Sequence, residues 1–174
     1  ADGLEPVQAL ALFFDFKDLT PLGVEALERM EERRMLVDVA HSSEAVIDDV
    51  IRLSTRPIFN SHTGVRGTCN RTRNLSDEAL RGIAASGGVV AITYFEEATC
   101  GKDIDSIVRA ILYTVNLIGI DHVGLGSDFD GSVRTPIDAS EIVMITDYLL
   151  RAGLDTAAVR KIMGENIKDL LLAS

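Results

Sequence analysis

Residues 35–41 read MLVDVAH and residues 57–62 read PIFNSH, so that each short apolar run ends at a histidine. Runs of this length, bounded by polar residues, are typical of buried strands. Residues 89–94 and 122–127 form two further runs, the last one short and rich in glycine. Because the four runs are almost continuously apolar, they predict a parallel sheet that is covered by helices.

Amphipathic patterns between these runs predict helices. Thr20 is expected to cap the first of them, with Pro21 at its first position, and Ser43 to cap the second. Either Asn74 or Ser76 opens a third helix, which stops at the glycines that precede the third strand. Further helices are predicted over residues 5–16, 103–118 and 138–152 and from residue 155 onward, with an interruption at residue 164.

This alternation of strands and helices indicates one α/β domain over residues 1–174, with no linker. Periodicity alone leaves two architectures open, a doubly wound sheet and a (β/α)8 barrel. A barrel needs eight strand–helix units in roughly 250 residues. Only four units are visible here, so the barrel interpretation predicts that the sequence holds about half of one.

Composition excludes some classes of partner. The 174 residues are 47% hydrophobic, which suffices for one core, and carry a formal net charge of −10. An acidic chain is a poor ligand for nucleic acids or anionic membranes. No apolar run in this segment reaches the roughly 18 residues of a membrane helix. Cys69 and Cys100 are predicted to be unpaired thiols in a reducing, cytoplasmic compartment, and a single disulfide is the open alternative.

His41 and His62 occupy equivalent positions after two successive strands. The carboxyl ends of parallel strands form the functional face of α/β proteins, so the two imidazoles are expected to converge. Neutral imidazole is a common zinc ligand. Two capping or core histidines are an equally weighted interpretation. Asp38, three residues before His41, is either a support for a metal ligand or a purely structural carboxylate.

Two other groups are expected at the same face. Residues 126–131 read GSDFDG and place Asp128 there as a ligand or general acid/base, unless the segment is only a turn. Arg66, Arg71 and Arg73 follow His62, and a guanidinium in this position could hold a substrate carboxylate or belong to a solvated loop. His122 begins a strand, at the opposite end, and is predicted to be structural.

Several motifs together resemble the C-terminal portion of the membrane dipeptidase (renal dipeptidase) family of zinc peptidases. The motifs, in order along the chain, are LTPLG at 19–23, LVDVAHSS at 36–43, SH at 61–62, RNLSD at 73–77, GIDHVGLGSDFDG at 119–131 and GEN at 164–166. The resemblance covers nearly all of the chain from Leu19 onward. It implies a (β/α)8 TIM barrel of the metallo-dependent hydrolase type that binds two zinc ions.

The resemblance also implies a role for individual residues. His41 and His62 correspond to the two histidine ligands of one zinc ion. Arg73 corresponds to the group that holds the C-terminal carboxylate of a dipeptide, and we assign Asn74 beside it to substrate binding. Asp128 corresponds to the catalytic acid/base. The implied activity is a zinc-dependent dipeptidase that attacks the peptide bond with metal-bound hydroxide, and a homodimer is the implied assembly.

The sequence departs from the family at three places. The H-x-D pair of the first strand, the glutamate that bridges the metals and a catalytic histidine before residue 19 have no counterpart here. The N-terminal strands and one internal loop are therefore expected to be missing from the sequence. Two alternatives follow. One is an inactive or one-metal relative that binds a carboxylate ligand, and the other is an amidohydrolase with a non-peptide substrate.

Overall fold

A computed structural model describes residues 18–173 of the chain. The sheet in this part is parallel and has four strands: β1 (Val37–Asp38), β2 (Ile58–Thr63), β3 (Val89–Ile92) and β4 (Val123–Leu125). Each strand pairs with the next one in the sequence, in the order β1-β2-β3-β4. In a doubly wound sheet, the order of the strands reverses at a switch point. The uninterrupted order is instead that of a barrel wall, so the prediction of a partial (β/α)8 barrel is confirmed.

One helix precedes the first strand, and the others lie between and after the strands. They are α1 (Pro21–Glu32), α2 (Glu44–Leu53), α3 (Asp77–Ala85), α4 (Glu96–Thr99), α5 (Ile104–Ile118), α6 (Val143–Arg151), α7 (Thr156–Arg160) and α8 (Asn166–Ala173). Side-chain oxygens cap the N-termini of five of them, from Thr20, Ser43, Ser76, Asp103 and Asp155. Each cap accepts a hydrogen bond from a backbone N–H that the first turn leaves without a partner.

The hydrophobic core fills the space between these helices and one face of the sheet. Val37, Ile58, Val90 and Val123 contribute the strand side of the core and share that face because of the register of the four strands. Helices supply the other side, with the fully buried Leu80, Ile83, Ile107, Ile111, Ile145 and Leu149. Full burial of one such side chain stabilises the fold by about 1.5–3 kcal/mol, so this layer fixes the strand ends in place.

Some predicted boundaries differ from the structure. β1 and β4 are shorter than predicted, His62 lies inside β2, and His122 ends a 3-10 turn (Ile120–His122) before β4. The helix predicted over 138–152 begins as a separate 3-10 turn, Ala139–Glu141. Gly164 interrupts the last helix as predicted, with a φ of 156° inside a π-helical turn (Lys161–Glu165). The helix predicted over 5–16 lies outside the described residues.

The prediction of unpaired cysteines is wrong. Cys69 and Cys100 form a disulfide with a Cα–Cα distance of 5.4 Å across a sequence separation of 31 residues. The two cysteines lie in the loops after β2 and β3, which sheet pairing brings together. No local sequence pattern predicts that these two cysteines pair. Because disulfides persist mainly in oxidising compartments, the original reason for expecting a cytoplasmic location no longer holds, and that location stays a prediction.

Within the described residues, no helix combines the length and apolar character needed to cross a membrane.

Candidate metal and substrate site

His41 and His62 meet at the carboxyl edge of the sheet. Their Nε2 atoms are 2.7 Å apart, and the two rings pack edge to face with centroids 4.7 Å apart. His41 follows β1 and His62 lies at the end of β2, so the parallel pairing of these strands brings the two residues together. The structure therefore shows the predicted convergence of the two imidazoles.

Residues beside the histidines hold this geometry. The Oγ of Ser61 lies 2.9 Å from Nδ1 of His62. When Nδ1 donates to this hydroxyl, the Nε2 atom presents a lone pair, which is the form that binds a metal. Asp38 accepts hydrogen bonds through Oδ1 from the backbone N–H groups of Ala40 and Ser61, at 2.9 and 3.0 Å. Asp38 thus connects the ends of β1 and β2 and supports the pair through the backbone.

Two of the predicted site residues have left-handed backbone conformations. His41 has a φ of 63° and Asp128 a φ of 59°. This region costs a non-glycine residue on the order of 1–3 kcal/mol, and such strain concentrates at functional sites. In the Asp128 loop, the N–H of Gly131 donates to the Asp128 carbonyl at 3.0 Å. The structure therefore contains the predicted turn, and a catalytic role of Asp128 stays a prediction.

A glycine allows the Asp128 segment to approach His62. A Cβ on Gly126 would lie 2.0 Å from the carbonyl oxygen of Ser61 and 3.0 Å from the Cα of His62. Backbone atoms cannot yield to such an overlap, so the chain after β4 passes close to the end of β2 only because residue 126 has no side chain.

Arg73 stacks on an aromatic ring at the edge of the site. Its guanidinium carbon lies 4.8 Å from the centroid of the Phe95 ring. Partial burial lowers the pKa of Arg73, and the nearby Asp128 carboxylate opposes this shift. An arginine keeps its charge under such a shift because its ordinary pKa lies above 12. The stacked guanidinium therefore remains charged and can bind an anionic group. This position agrees with the predicted binding of a substrate carboxylate.

Asn74 lies behind Arg73 and not at the cavity. Its side chain is 2% exposed, and its Nδ2 donates to the carbonyls of Cys69 and Ala98 at 2.7 and 2.8 Å. The helix after this loop is capped by Ser76, so the alternative cap at Asn74 is wrong. The contacts of Asn74 fasten the Arg73 loop to the segment after β3. Direct substrate binding by Asn74 stays a prediction.

A cavity of about 550 Å³ opens beside the histidine pair. Its walls include His41, Arg73 and Asp128, so three predicted site residues surround one space. The walls also include residues that were not predicted, namely Phe95, Glu96, Glu97, Gly131, Ser132, Val133 and Arg134. Arg66 lies elsewhere, in a double hydrogen bond to the Glu44 carboxylate at 2.9 and 3.0 Å.

The environment of His41 favours a neutral imidazole. Partial burial lowers its pKa most, and the charge of Arg73 and the neighbouring His62 imidazole lower it further, while Asp128 and Asp38 oppose these effects. A histidine binds a metal ion only in the neutral form. The electrostatic environment therefore agrees with a ligand role.

The chemistry of these donors fits zinc in part. Imidazole nitrogens are among the donors that zinc prefers, and here two of them meet at hydrogen-bond distance, whereas a zinc site has four positions. Within residues 18–173, no third histidine, cysteine, aspartate or glutamate joins them to form a group that could hold a metal. The described residues thus offer two imidazole donors and no third ligand of such a site.

The fold and the site define a parallel α/β barrel protein with a histidine pair at its strand ends. The particular family follows from comparison with known proteins. The family model described as membrane dipeptidase (peptidase family M19) matches residues 7–171, so the chain belongs to this family. The resemblance stated from the motifs is confirmed.

Individual relatives agree with this assignment. An uncharacterized protein in the pqqA 5′ region of Klebsiella pneumoniae is 33% identical over 158 residues, which cover 85% of this chain and 58% of that protein. Dipeptidase tcpJ of Claviceps purpurea is 32% identical over 157 residues, which cover 86% of this chain and 37% of that protein. The chain therefore spans less than two thirds of the length of these relatives.

A solved structure shows the same architecture. The metallo peptidase from Rhodobacter sphaeroides, liganded with a phosphinate mimic of the dipeptide L-Ala-D-Ala, superposes with a TM-score of 0.83. It is 27% identical to this chain, and the match covers 91% of this chain and 48% of that one.

Proposed function

We propose that the complete protein is a zinc-dependent dipeptidase. The observation that carries this proposal is the convergence of the His41 and His62 Nε2 atoms beside a cavity that Arg73 and Asp128 also line. Membership of the membrane dipeptidase family supports it. So does the dipeptide mimic bound by the related Rhodobacter sphaeroides protein.

In this proposal, His41 and His62 hold one zinc ion. Bound zinc would lower the pKa of a coordinated water towards neutrality and polarise the peptide carbonyl. Arg73 binds the C-terminal carboxylate of the dipeptide through charge-assisted hydrogen bonds. This contact selects substrates whose scissile bond is one residue from a free carboxylate.

Asp128 is the proton carrier. It lines the cavity together with His41 and Arg73, so its carboxylate borders the space in which the peptide bond would lie. It accepts a proton from the attacking water and delivers it to the leaving amine, a role that contributes about 10²–10⁴-fold to rate in general acid–base catalysis.

The proposal is tested with the full-length protein loaded with zinc. Hydrolysis of L-Ala-L-Ala and L-Ala-D-Ala is compared with that of the same dipeptides bearing a C-terminal amide. We expect hydrolysis of the free acids, its loss on chelation, and a drop in kcat/KM of about 10–100-fold for the amides, because hydrogen bonds to a charged group contribute about 1.5–3 kcal/mol.

Arg73→Gln is the variant that assigns this discrimination. It should lower kcat/KM for the acids and leave the amides unaffected. Arg71→Gln, an exposed arginine of the same loop outside the cavity wall, is the matched control. Absence of hydrolysis of any dipeptide by the zinc-loaded protein would refute the proposed activity.

A further inference from the structure

A small recess adjoins the main cavity. It has a volume of about 180 Å³ and is lined by Glu96, Gly101, Lys102, Arg134, Thr135 and Pro136. Glu96 and Arg134 belong to the walls of both spaces, so the recess lies directly beside the cavity near the histidines. Pockets for whole small molecules begin at about 300 Å³. The recess is therefore of a size for one side chain of a ligand that lies in the main cavity.

The charges in the recess leave one cation without a partner. Glu96 forms an ion pair with Lys102, with 3.5 Å between Oε2 and Nζ. Arg134 forms no ion pair with any residue in the described part of the chain, although the chain as a whole is acidic. Glu97 borders the main cavity but not the recess. The recess thus carries one positive charge in excess.

We propose that Arg134 is a specificity-determining residue that binds the side-chain carboxylate of dipeptides ending in aspartate or glutamate. This inference rests on the proposed dipeptide site. Arg73 and Arg134 line the same cavity. A C-terminal acidic residue carries two carboxylates on one short framework. With the main-chain carboxylate on Arg73, the side chain enters the recess, where the planar guanidinium of Arg134 matches a carboxylate in a bidentate fashion.

The test measures binding, so that it does not depend on catalysis. Full-length, zinc-depleted protein is titrated calorimetrically with Ala-Asp and with its isosteric neutral analogue Ala-Asn. We expect Ala-Asp to bind about tenfold more tightly, the lower range for a hydrogen bond to a charged group. In Arg134→Gln the ratio should fall to about one, with affinity for Ala-Asn unchanged. Arg134→Glu should reverse the preference and favour Ala-Lys over Ala-Asp.

Arg71→Gln is again the matched control, because it removes the same charge outside both spaces and should keep the tenfold ratio. Three results for the wild type would each overturn the inference: a ratio equal to that of Arg134→Gln, tighter binding of Ala-Lys than of Ala-Asp, or no dipeptide binding.

The inference and the proposed function fail in different ways. Zinc-loaded protein that hydrolyses Ala-Asp and Ala-Asn with equal kcat/KM would remain a dipeptidase without this subsite. Protein with the Arg134-dependent binding preference but no hydrolysis would keep the subsite and lose the proposed activity.

Discussion

Histidines at the two ends of the sheet have different kinds of partner. At the carboxyl end, His41 and His62 face each other with Nε2 atoms 2.7 Å apart, and His41 has a left-handed backbone. At the amino end, His122 lies before β4, and its Nδ1 is 2.9 Å from the carbonyl oxygen of Gly88. One end directs ring nitrogens at each other, whereas the other pairs a ring nitrogen with a fixed backbone acceptor.

This difference shows that the amino end of the sheet contributes to stability, whereas the backbone at the carboxyl end lowers it. A satisfied hydrogen bond such as that of His122 contributes about 0.5–1.5 kcal/mol. The left-handed backbones of His41 and Asp128 cost on the order of 1–3 kcal/mol each, a strain the buried core tolerates. The hydrogen-bond partners and the backbone conformation of a histidine therefore indicate whether its role is structural or functional. Three sets of substitutions test this contrast.

The largest effect is expected from removal of a ring at the carboxyl end. His41→Ala or His62→Ala should weaken zinc binding by at least about 100-fold, because even loss of a supporting partner costs a metal site 10–100-fold. His122→Ala, the matched control, should retain zinc and lose about 1 kcal/mol of unfolding free energy. Metal analysis measures the bound zinc, and urea denaturation measures the unfolding free energy. Full zinc occupancy in the first two variants would remove the ligand assignment.

The disulfide should contribute the next largest effect. It joins the loops that hold Arg73 and Phe95 at the carboxyl end. Replacing Cys69 and Cys100 together by alanine should reduce the unfolding free energy by about 3–4 kcal/mol, from the loop entropy of a 31-residue separation. Chemical denaturation with and without reductant provides the measurement. The double variant should not respond to reductant, and a wild type that also ignores it would contradict the pairing.

The smallest effect is expected from the ion pair between Arg66 and Glu44, which lies at the carboxyl end of the sheet but outside the site. Hydrogen bonds from Arg66 lower the pKa of Glu44 below its ordinary value of 4.5. The folded state thus favours the ionised carboxylate, so the stabilisation is present above pH 4.5 and is lost as the pH falls through the folded pKa. Glu44→Gln should cost about 0.2–1 kcal/mol at pH 7, since both side chains are partly exposed.

Urea denaturation as a function of pH tests this expectation. The difference between Glu44→Gln and the wild type should vanish at low pH, and Arg66→Gln should show the same dependence. If the two variants have additive costs at pH 7 in a double-mutant cycle, the pair contributes nothing.

The local features of the fold were predictable because they depend on neighbouring residues. Thr20 and Ser43 cap helices where the sequence predicted, since a cap contacts backbone only three residues away. The apolar runs located the strands, and the histidines at their ends followed. The family motifs then identified Arg73 and Asp128, which line the cavity with His41.

The short strand lengths and the helix α4 were not predicted. Val37–Asp38 is the paired part of a longer apolar run, because pairing depends on the neighbouring strand and not on composition. α4 begins at Glu96, and its N-cap residue Phe95 makes no side-chain cap hydrogen bond, so the sequence carries no signal for its start.

The amino-acid sequence was enough to predict the alternation of strands and helices, the family, and the two histidines at successive strand ends. Three contacts became visible only in the folded chain: Cys69 meets Cys100, Asn74 turns inward behind Arg73, and Arg134 shares a wall with Glu96. The two groups of features differ in the range over which they act. Caps and strand patterns act over a few residues of chain, whereas the distance between two loops is fixed by sheet register and by core packing, which no single segment encodes.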